Sequence, residues 1–415
     1  MTRATATTRS HERGFWAVAF TFLALMAYSA VPTPLYAIYM ARDGFGSLTV
    51  TVIFAVYAFG VMASLWLAGH LSDVLGRRRL LVAALVLTLL SSLFFLFWRE
   101  VPGLMIGRFV NGLGIGAATA TATAWIAELH TGARPEADAR RAQRVALIAN
   151  IGGLAVGPLA AGALAQWVDH PLTIPYLVSI ATLVAGLVFV LLAPETRPAA
   201  VPRPAYRPQS VTIPAADRAR FAAAALASLV AFAVYGLFNA MAPTFLAGTL
   251  HHTSHALAGA AAFVAFGSGV GAQLAAERLS VDRILRTGIG AMLAGLAILV
   301  LAVWLPTPSL ALFLIGGAVA GGAGGLLFKG ALTTVASIAP PETRAEALAG
   351  LFLCAYVGIS VPVIGLGLMN EALSPRSALA IFAGVLAAGV LAATPVLLGG
   401  RKDAEQGANK VPVPV

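Results

Sequence analysis

Lys329 has the most informative position of any charged residue in the chain, because it lies inside the apolar segment GGLLFKGALTT. An ionisable side chain at membrane depth costs at least about 2.5 kcal/mol and usually has a function. We expect Lys329 to line a cavity and to supply the positive end of a binding site. The alternative is a structural hydrogen bond from its ammonium group to a carbonyl of a neighbouring helix.

Acidic residues lie elsewhere in the pattern. Asp73, Glu128, Glu277 and Glu346 all fall at predicted ends of apolar segments, and no Asp or Glu falls in the middle of one. A site for an organic cation usually needs a central carboxylate, whereas an ammonium beside neutral hydrogen-bonding groups suits a neutral or anionic amphiphile. The sequence therefore disfavours a cationic ligand.

Polar side chains inside apolar segments are further candidates for the cavity lining, since such residues prefer the interior of a helix bundle. These candidates are Tyr28, Asn111, Tyr235, Asn239, Gln273, Tyr356 and Ser360. For each of them, packing between helices is the alternative.

Composition shows what positions these residues. The chain has 415 residues, of which 59% are hydrophobic and 11% charged, whereas soluble domains carry about 25% charged residues. The net charge of +10 would suggest nucleic acid in a soluble protein, but the basic residues lie in short connectors, so we expect no nucleic-acid partner. The single cysteine, Cys354, excludes an internal disulfide and a zinc site of cysteines.

The apolar pattern predicts an all-α membrane protein with twelve transmembrane helices. The predicted spans are 15–40, 47–72, 79–98, 102–128, 144–167, 173–193, 221–246, 257–277, 287–305, 309–338, 346–369 and 377–399. With both termini in the cytoplasm, the outside loops contain only Arg42, Arg99 and Arg376 among the basic residues. This asymmetry of Lys and Arg predicts the orientation.

A Pro- and Arg-rich segment at 194–220 divides the chain into six-helix halves at 1–193 and 221–415. Such a segment can neither continue a helix nor enter lipid. The halves resemble one another, since AVPTPL at 30–35 matches MAPTFL at 241–246. We therefore predict two pseudo-symmetric bundles with a central site between them. The string PETR, at 194–197 and again at 341–344, is interpreted as helix punctuation at the membrane surface.

Three local motifs resemble those of the major facilitator superfamily, and the likeness extends over essentially the full length. The turn between spans 2 and 3 matches a family motif at Gly69, Leu71, Asp73, Gly76, Arg77 and Arg78. Span 4 matches a second motif at Arg108, Gly112, Gly114 and Gly116. Span 5 is similar to the motif of the twelve-span drug:proton antiporter branch at Gly153, Gly157, Pro158 and Gly162, with Ala161 replacing one glycine.

The resemblance implies roles for several of these residues. Arg77 would pair with an acid that ends span 4, and Glu128 stands in that place. Together with Asp73 facing the start of span 11, this pair would latch the cytoplasmic side shut and would break in the inward-open state. The alternative is that Asp73 and the arginines are only a topology signal. Arg108 would tune or take part in proton movement. Gly157 and Pro158 would allow close packing and a kink in span 5, and tight packing alone is the alternative.

These observations predict a secondary active transporter in a bacterial inner membrane, which exports small amphiphilic organic molecules by alternating access in exchange for protons. The alternative is an importer or uniporter of an organic anion, with Lys329 as the counter-charge. We find no constellation typical of an enzyme and no phosphate-binding loop. His251, His252 and His255 have no Cys or acid beside them, so a solvated loop is favoured over a metal site. We expect a monomer in the lipid bilayer, with a small organic substrate and protons as partners, and without a cofactor.

Overall fold

The computed structural model describes residues 2–68, 71–197 and 217–399, and of residues 2–7, 68, 72 and 73 it describes only the backbone. These residues form helices and short connections, and no strand occurs among them. Twelve of the described helices are long and apolar enough to cross a membrane. The prediction of an all-α protein with twelve spans is confirmed.

The observed spans exceed several of the predicted ones at their ends. In chain order, spans 1 to 12 are Thr8–Asp43, Ser47–Leu67, Arg77–Phe97, Val101–Ala133, Arg140–Trp167, Ile174–Leu192, Arg218–Gly248, His255–Arg278, Val281–Trp304, Leu310–Ile338, Arg344–Ala372 and Pro375–Gly399. Residues 194–197 follow span 6, and most of the predicted linker lies outside the described residues.

Spans 1 to 6 pack around one apolar core and spans 7 to 12 around another. The two bundles meet mainly where span 5 packs on span 8 and span 2 packs on span 11. We call the membrane face that carries the start of span 1, the turn before Arg77 and residues 193–197 the inner face. It is the face that the Lys and Arg pattern assigns to the cytoplasm. The opposite one is the outer face.

Related breaks interrupt spans 1 and 7. A 3₁₀ turn at Thr33–Leu35 follows Pro32, and a π-helical turn at Leu237–Met241 comes shortly before Pro243. Proline lacks a backbone N–H and therefore disturbs helical hydrogen bonding nearby. The matching strings at 30–35 and 241–246 lie at these breaks, which is the arrangement expected of a duplicated six-helix unit.

Small residues allow the spans to approach closely. Gly157 packs against the main-chain carbonyl of Ala27 in span 1, and Gly259 of span 8 packs against the carbonyl of Pro158 in span 5. A side chain at either glycine would meet main-chain atoms, which cannot rotate away. The predicted close packing at Gly157 and Pro158 is therefore present.

Candidate functional site

A cavity of about 580 Å³ lies between the two bundles in the inner half of the molecule. Spans 2, 4 and 5 form one wall and spans 8, 10 and 11 form the other. It reaches the inner face at Ala127 and Ala345, and a smaller pocket of about 60 Å³ continues it toward the middle of the membrane. The shared walls of the two spaces are Thr119, Asn150, Ile151, Gln273, Phe328, Phe352 and Tyr356.

Aromatic rings and neutral polar groups dominate the deep end of this cavity. Tyr235 stacks on Phe266 with ring centroids 4.6 Å apart, and the ring of Phe232 meets Tyr356 edge-on at 6.0 Å. Among the described lining residues of both spaces there is no Asp, Glu, Lys or Arg. The cavity therefore offers stacking surfaces and uncharged hydrogen-bonding groups.

Four predicted lining residues lie on the walls of the cavity. Tyr235 donates a hydrogen bond of 2.8 Å from its hydroxyl to the carbonyl of Gly321, and the amide oxygen of Asn239 accepts from Thr33. Gln273 is 7% exposed, and its amide nitrogen has no hydrogen-bond partner among the residues described. Tyr356 forms part of both spaces.

The structure does not bring Tyr28, Asn111 and Ser360 to the cavity. The hydroxyl of Tyr28 is 2.9 Å from that of Ser91 inside the first bundle, and Ser360 donates to the carbonyl of Tyr356 one turn back. Asn111 is 1% exposed in the interior of span 4. A hydroxyl inside a span can be satisfied by its own helix or a neighbour, so its presence alone does not mark a cavity.

Lys329 lies beside the cavity and not on its described lining. Its ammonium group donates a hydrogen bond of 2.7 Å to the main-chain carbonyl of Gln273. That carbonyl is one of the last four of the helix His255–Ala275, where positive charge is favourable. Lys329 therefore caps the inner end of span 8, as the structural alternative proposed.

An acidic residue also acts on Lys329 from the inner end of span 8. Glu277 follows Gln273 by one turn and attracts the ammonium electrostatically. Lys329 precedes the inner end of span 10, Ile338, by nine residues, which is about 14 Å of helix. Lys329 is thus in the inner third of span 10, close enough to the inner face to interact with Glu277.

Glu277 also joins the two bundles. It forms a bidentate ion pair with Arg144 of span 5, in which the Nε–Oε1 distance is 2.8 Å and the Nη2–Oε2 distance is 2.5 Å. Of the ion pairs described, this is the one that crosses between bundles. The sequence analysis missed it; the available signal was that both residues end spans at the same membrane face.

The ion pair between Arg77 and Glu128 is present, as the resemblance implied, with an Nη2–Oε1 distance of 2.8 Å. It lies within the first bundle and is intact although the cavity reaches the inner face. Its breakage in an inward-open state stays a prediction. Gly69 and the side chain of Asp73 lie outside the described residues.

The segment 194–197, with the sequence PETR, forms hydrogen bonds to both Arg77 and Glu128. The interpretation of PETR as helix punctuation did not include this contact. The carboxylate of Glu195 accepts hydrogen bonds from the backbone N–H groups of Arg77 at 3.2 Å and Arg78 at 2.9 Å. Thr196 donates to the carboxylate of Glu128 at 2.5 Å. Glu195 thus places a negative charge at the positive N-terminus of span 3.

Gly76, directly before span 3, has φ of +94°. Residues that carry a side chain rarely adopt this backbone conformation, which explains the glycine at this position of the turn.

Arg108 is buried in the first bundle at 2% exposure. Its Nη1 donates to the carbonyl of Ser29 at 2.6 Å, and its guanidinium lies 4.5 Å from the ring centroid of Tyr57 and 5.4 Å from that of Phe54. Such contacts stabilise a desolvated cation. Since Tyr57 lines the smaller pocket, Arg108 adjoins the site through one aromatic ring.

Contacts between the bundles close the outer half. Thr33 of span 1 bonds to Asn239 of span 7, and Glu371 of span 11 accepts from the backbone N–H of Leu48 in span 2 at 3.4 Å. Gln166 of span 5 accepts from the backbone N–H of His255 in span 8 at 2.9 Å. The bundles therefore contact each other in the outer half, whereas the cavity lies in the inner half.

Comparison with known proteins gives the same picture. The family model of the Major Facilitator Superfamily matches residues 17–314. The chain is 26% identical over 170 residues to the multidrug resistance protein MdtL of Klebsiella pneumoniae (strain 342), covering 40% of this chain and 41% of that protein. It is 32% identical over 115 residues to the chloramphenicol resistance protein CraA of Acinetobacter baumannii, covering 27% and 26%. The matches thus span less than half of either relative.

Among solved structures, a POT family transporter in complex with 5-aminolevulinic acid superposes with a TM-score of 0.72 at 13% identity, covering 92% of this chain and 95% of that one. At this identity the likeness concerns the fold.

Proposed function

The chain belongs to the major facilitator superfamily, and from this premise we propose that it exports small amphiphilic organic molecules, neutral or anionic, in exchange for protons. Family membership makes it a multi-pass membrane transporter of small molecules and not an enzyme. The proposal adds the substrate class, the direction and the coupling ion.

One observation carries the substrate class, namely that the described cavity walls combine aromatic rings with neutral amides and hydroxyls and include no charged side chain. An apolar molecule with a few hydrogen-bonding groups can stack on Phe328 and Tyr356 while it accepts a hydrogen bond from Gln273. An organic cation would be desolvated there without a carboxylate to compensate. A neutral amphiphile therefore fits best.

Alternating access is supported by the asymmetry of the bundle contacts. The outer half is closed, whereas the cavity occupies the inner half. Rocking of one bundle against the other about the contacts of spans 5 and 8 would expose the same walls to the outer side.

Export is supported by the motif in span 5 and by the printed names of MdtL and CraA, which are resistance proteins. The Lys and Arg pattern supports cytoplasmic termini, and hence a cavity that opens toward the cytoplasm. We place the protein in a bacterial inner membrane on the same grounds. Proton coupling is supported by the resemblance of the span 5 motif, at Gly153, Gly157, Pro158 and Gly162, to that of the drug:proton antiporter branch.

A second candidate is transport of an organic anion, by import or uniport. The observation in its favour is Lys329, whose ammonium lies directly behind the cavity-lining residue Gln273. An anion that reached this point would find a positive charge already within the bundle.

Proteoliposomes with an imposed proton gradient test both candidates. The compounds are chloramphenicol as a neutral amphiphile, benzoate as an anion and tetraphenylphosphonium as a cation. We expect uphill transport of chloramphenicol that stops when nigericin collapses the gradient, and no transport of the cation. Transport of the cation alone would contradict the cavity argument, whereas substrate flux that is independent of the proton gradient would indicate a uniporter.

A further inference from the structure

A groove of about 860 Å³ lies on the outside of the first bundle, between the start of span 1 and the end of span 6, away from the central cavity. Its walls include two arginines, Arg9 and Arg13, and the exposed rings of Trp16 and Phe20. From the chemistry of this groove we infer that it binds an anionic phospholipid.

The order of residues along span 1 matches the order of groups in a lipid. Residues 9, 13, 16 and 20 share one helix face, because they are three or four positions apart. Arg9 and Arg13 come first, Trp16 follows, and Phe20 is about 10 Å beyond Arg13. A phosphate group would lie at the arginines and the acyl chains along the rings.

The groove also lies at the depth of a lipid headgroup. Span 1 has 36 residues and is therefore about 54 Å long, whereas a hydrocarbon core is about 30 Å thick. The span is longer than the core, and its charged first turns, with Arg9 and Arg13, extend into the headgroup region at the inner face. Trp16 is 53% exposed, as is common for tryptophan at a membrane interface.

The two arginines are available for a ligand. Neither guanidinium group makes a hydrogen bond or ion pair with any other residue in the described ranges. The acid between them, Glu12, is engaged elsewhere, since it accepts from Arg141 at 2.8 Å and Arg134 at 3.3 Å. Arg134 and Arg141 therefore neutralise Glu12, and the groove keeps the positive charge of Arg9 and Arg13.

Span 6 supplies the opposite wall. Phe189 meets Phe20 edge-on at 5.4 Å, and Leu192 is 78% exposed. These side chains would pack on acyl chains, while the arginines select the headgroup. Positive charge at a membrane surface favours anionic lipids by about 1 kcal/mol for each basic residue. Arg9 and Arg13 together are therefore expected to give a preference of about 30-fold for an anionic lipid over a zwitterionic one at low salt.

Quenching of Trp16 fluorescence tests the inference in the full-length protein. The protein is reconstituted with brominated phosphatidylglycerol or with phosphatidylcholine that carries the same brominated chains, and the Trp16→Phe variant identifies the contribution of Trp16. We expect half-maximal quenching of Trp16 at a phosphatidylglycerol concentration about 30-fold lower than the phosphatidylcholine concentration that gives the same quenching. Raising the salt concentration should weaken this preference, because screening shortens the range of the charges.

The matched variants are R9Q/R13Q and R278Q/R283Q. The second pair removes the same charge from the inner ends of spans 8 and 9, where Arg278 and Arg283 are exposed. We expect R9Q/R13Q to lose the preference and R278Q/R283Q to keep it. Equal quenching by both lipids in the unaltered protein, a preference that does not respond to salt, or equal behaviour of the two double variants would each overturn the inference.

Discussion

Lys329 and Gln273 form one unit at the edge of the cavity: the ammonium of Lys329 is 2.7 Å from the main-chain oxygen of Gln273, and the side chain of Gln273 lines the cavity. The charge that the sequence suggests as a substrate partner thus positions the end of span 8. This relationship separates the two candidate substrate classes, because a helix cap and a counter-charge respond differently to substitution.

Replacement of Lys329 by Met is expected to lower stability by about 1 kcal/mol through loss of the helix cap. Transport of chloramphenicol should change by less than about threefold, since a neutral molecule needs no counter-charge. Thermal unfolding and flux in proteoliposomes measure the two effects. Lys329→Arg is the control and should retain both. If Lys329→Met abolished chloramphenicol transport and Lys329→Arg restored it, the charge would belong to the binding site.

The ion pair of Arg144 with Glu277 is expected to influence the balance between conformations. Because both side chains are solvent-accessible, Glu277→Gln and Arg144→Gln should each change the transport rate by only roughly two- to fivefold. The exchanged pair Arg144→Glu/Glu277→Arg should recover part of the rate. Rates measured at low and high salt check the assignment, since screening weakens an exposed pair. Identical losses in the single variants and the exchanged pair would contradict it.

Closure of the cavity mouth by a large side chain tests whether substrate uses this space. Ala349 of span 11 lies on the wall, so Ala349→Trp is expected to reduce transport at least about tenfold by filling the entrance. Ala181→Trp places the same side chain on the exposed surface of span 6 and should transport normally. Flux and the amount of folded protein are measured together. Normal flux through Ala349→Trp would exclude this route.

The fold was largely predictable because it depends on the length and spacing of apolar segments. All twelve spans appear, and the proline-containing strings at 30–35 and 241–246 coincide with breaks in spans 1 and 7. The partner of Arg77 was also predictable, since the resemblance placed an acid at the end of span 4. These features need no knowledge of how each helix is rotated.

The site was predicted less well because rotation decides it. Each residue along a helix is rotated by about 100° from the one before it, so the rotation of the helix decides where a side chain points. Tyr28 and Tyr235 are the same residue type, yet Tyr28 points to Ser91 and Tyr235 points to the cavity. The hydrogen bond of Lys329 to a main-chain oxygen has no signal in side-chain types. The contact of Glu195 with span 3 joins segments that are more than 100 residues apart.

Glu195 is expected to stabilise the turn before span 3. Glu195→Ala removes the acceptor for the N–H groups of Arg77 and Arg78 and should lower the stability by about 1 kcal/mol, the usual value for a helix cap. Thermal unfolding measures the loss. Glu342→Ala, in the second PETR string, is the matched control, because Glu342 makes no described hydrogen bond to the N-terminus of span 3. Equal losses in both variants would contradict a specific cap.

The contact of Gly259 with Pro158 is expected to control closure of the outer side. A side chain at Gly259 would strike the carbonyl of Pro158, and such overpacking costs about 1–3 kcal/mol. Gly259→Val should therefore disfavour the closed outer half and shift the population toward an outward-open state by about tenfold. Gly271→Val is the control on the same span, since a Cβ atom there would meet no atom within 4 Å.

Accessibility of Thr51 reports this shift. Thr51 is 0% exposed and lies against Gly367 at the outer contact of spans 2 and 11. The chain has a single cysteine, so Thr51→Cys in a Cys354→Ser background gives one labelling site. A maleimide added from outside should react about tenfold faster when Gly259→Val is present and no faster with Gly271→Val. Unchanged labelling together with normal transport would contradict the prediction. It would mean that the closed outer half accommodates a larger side chain at Gly259.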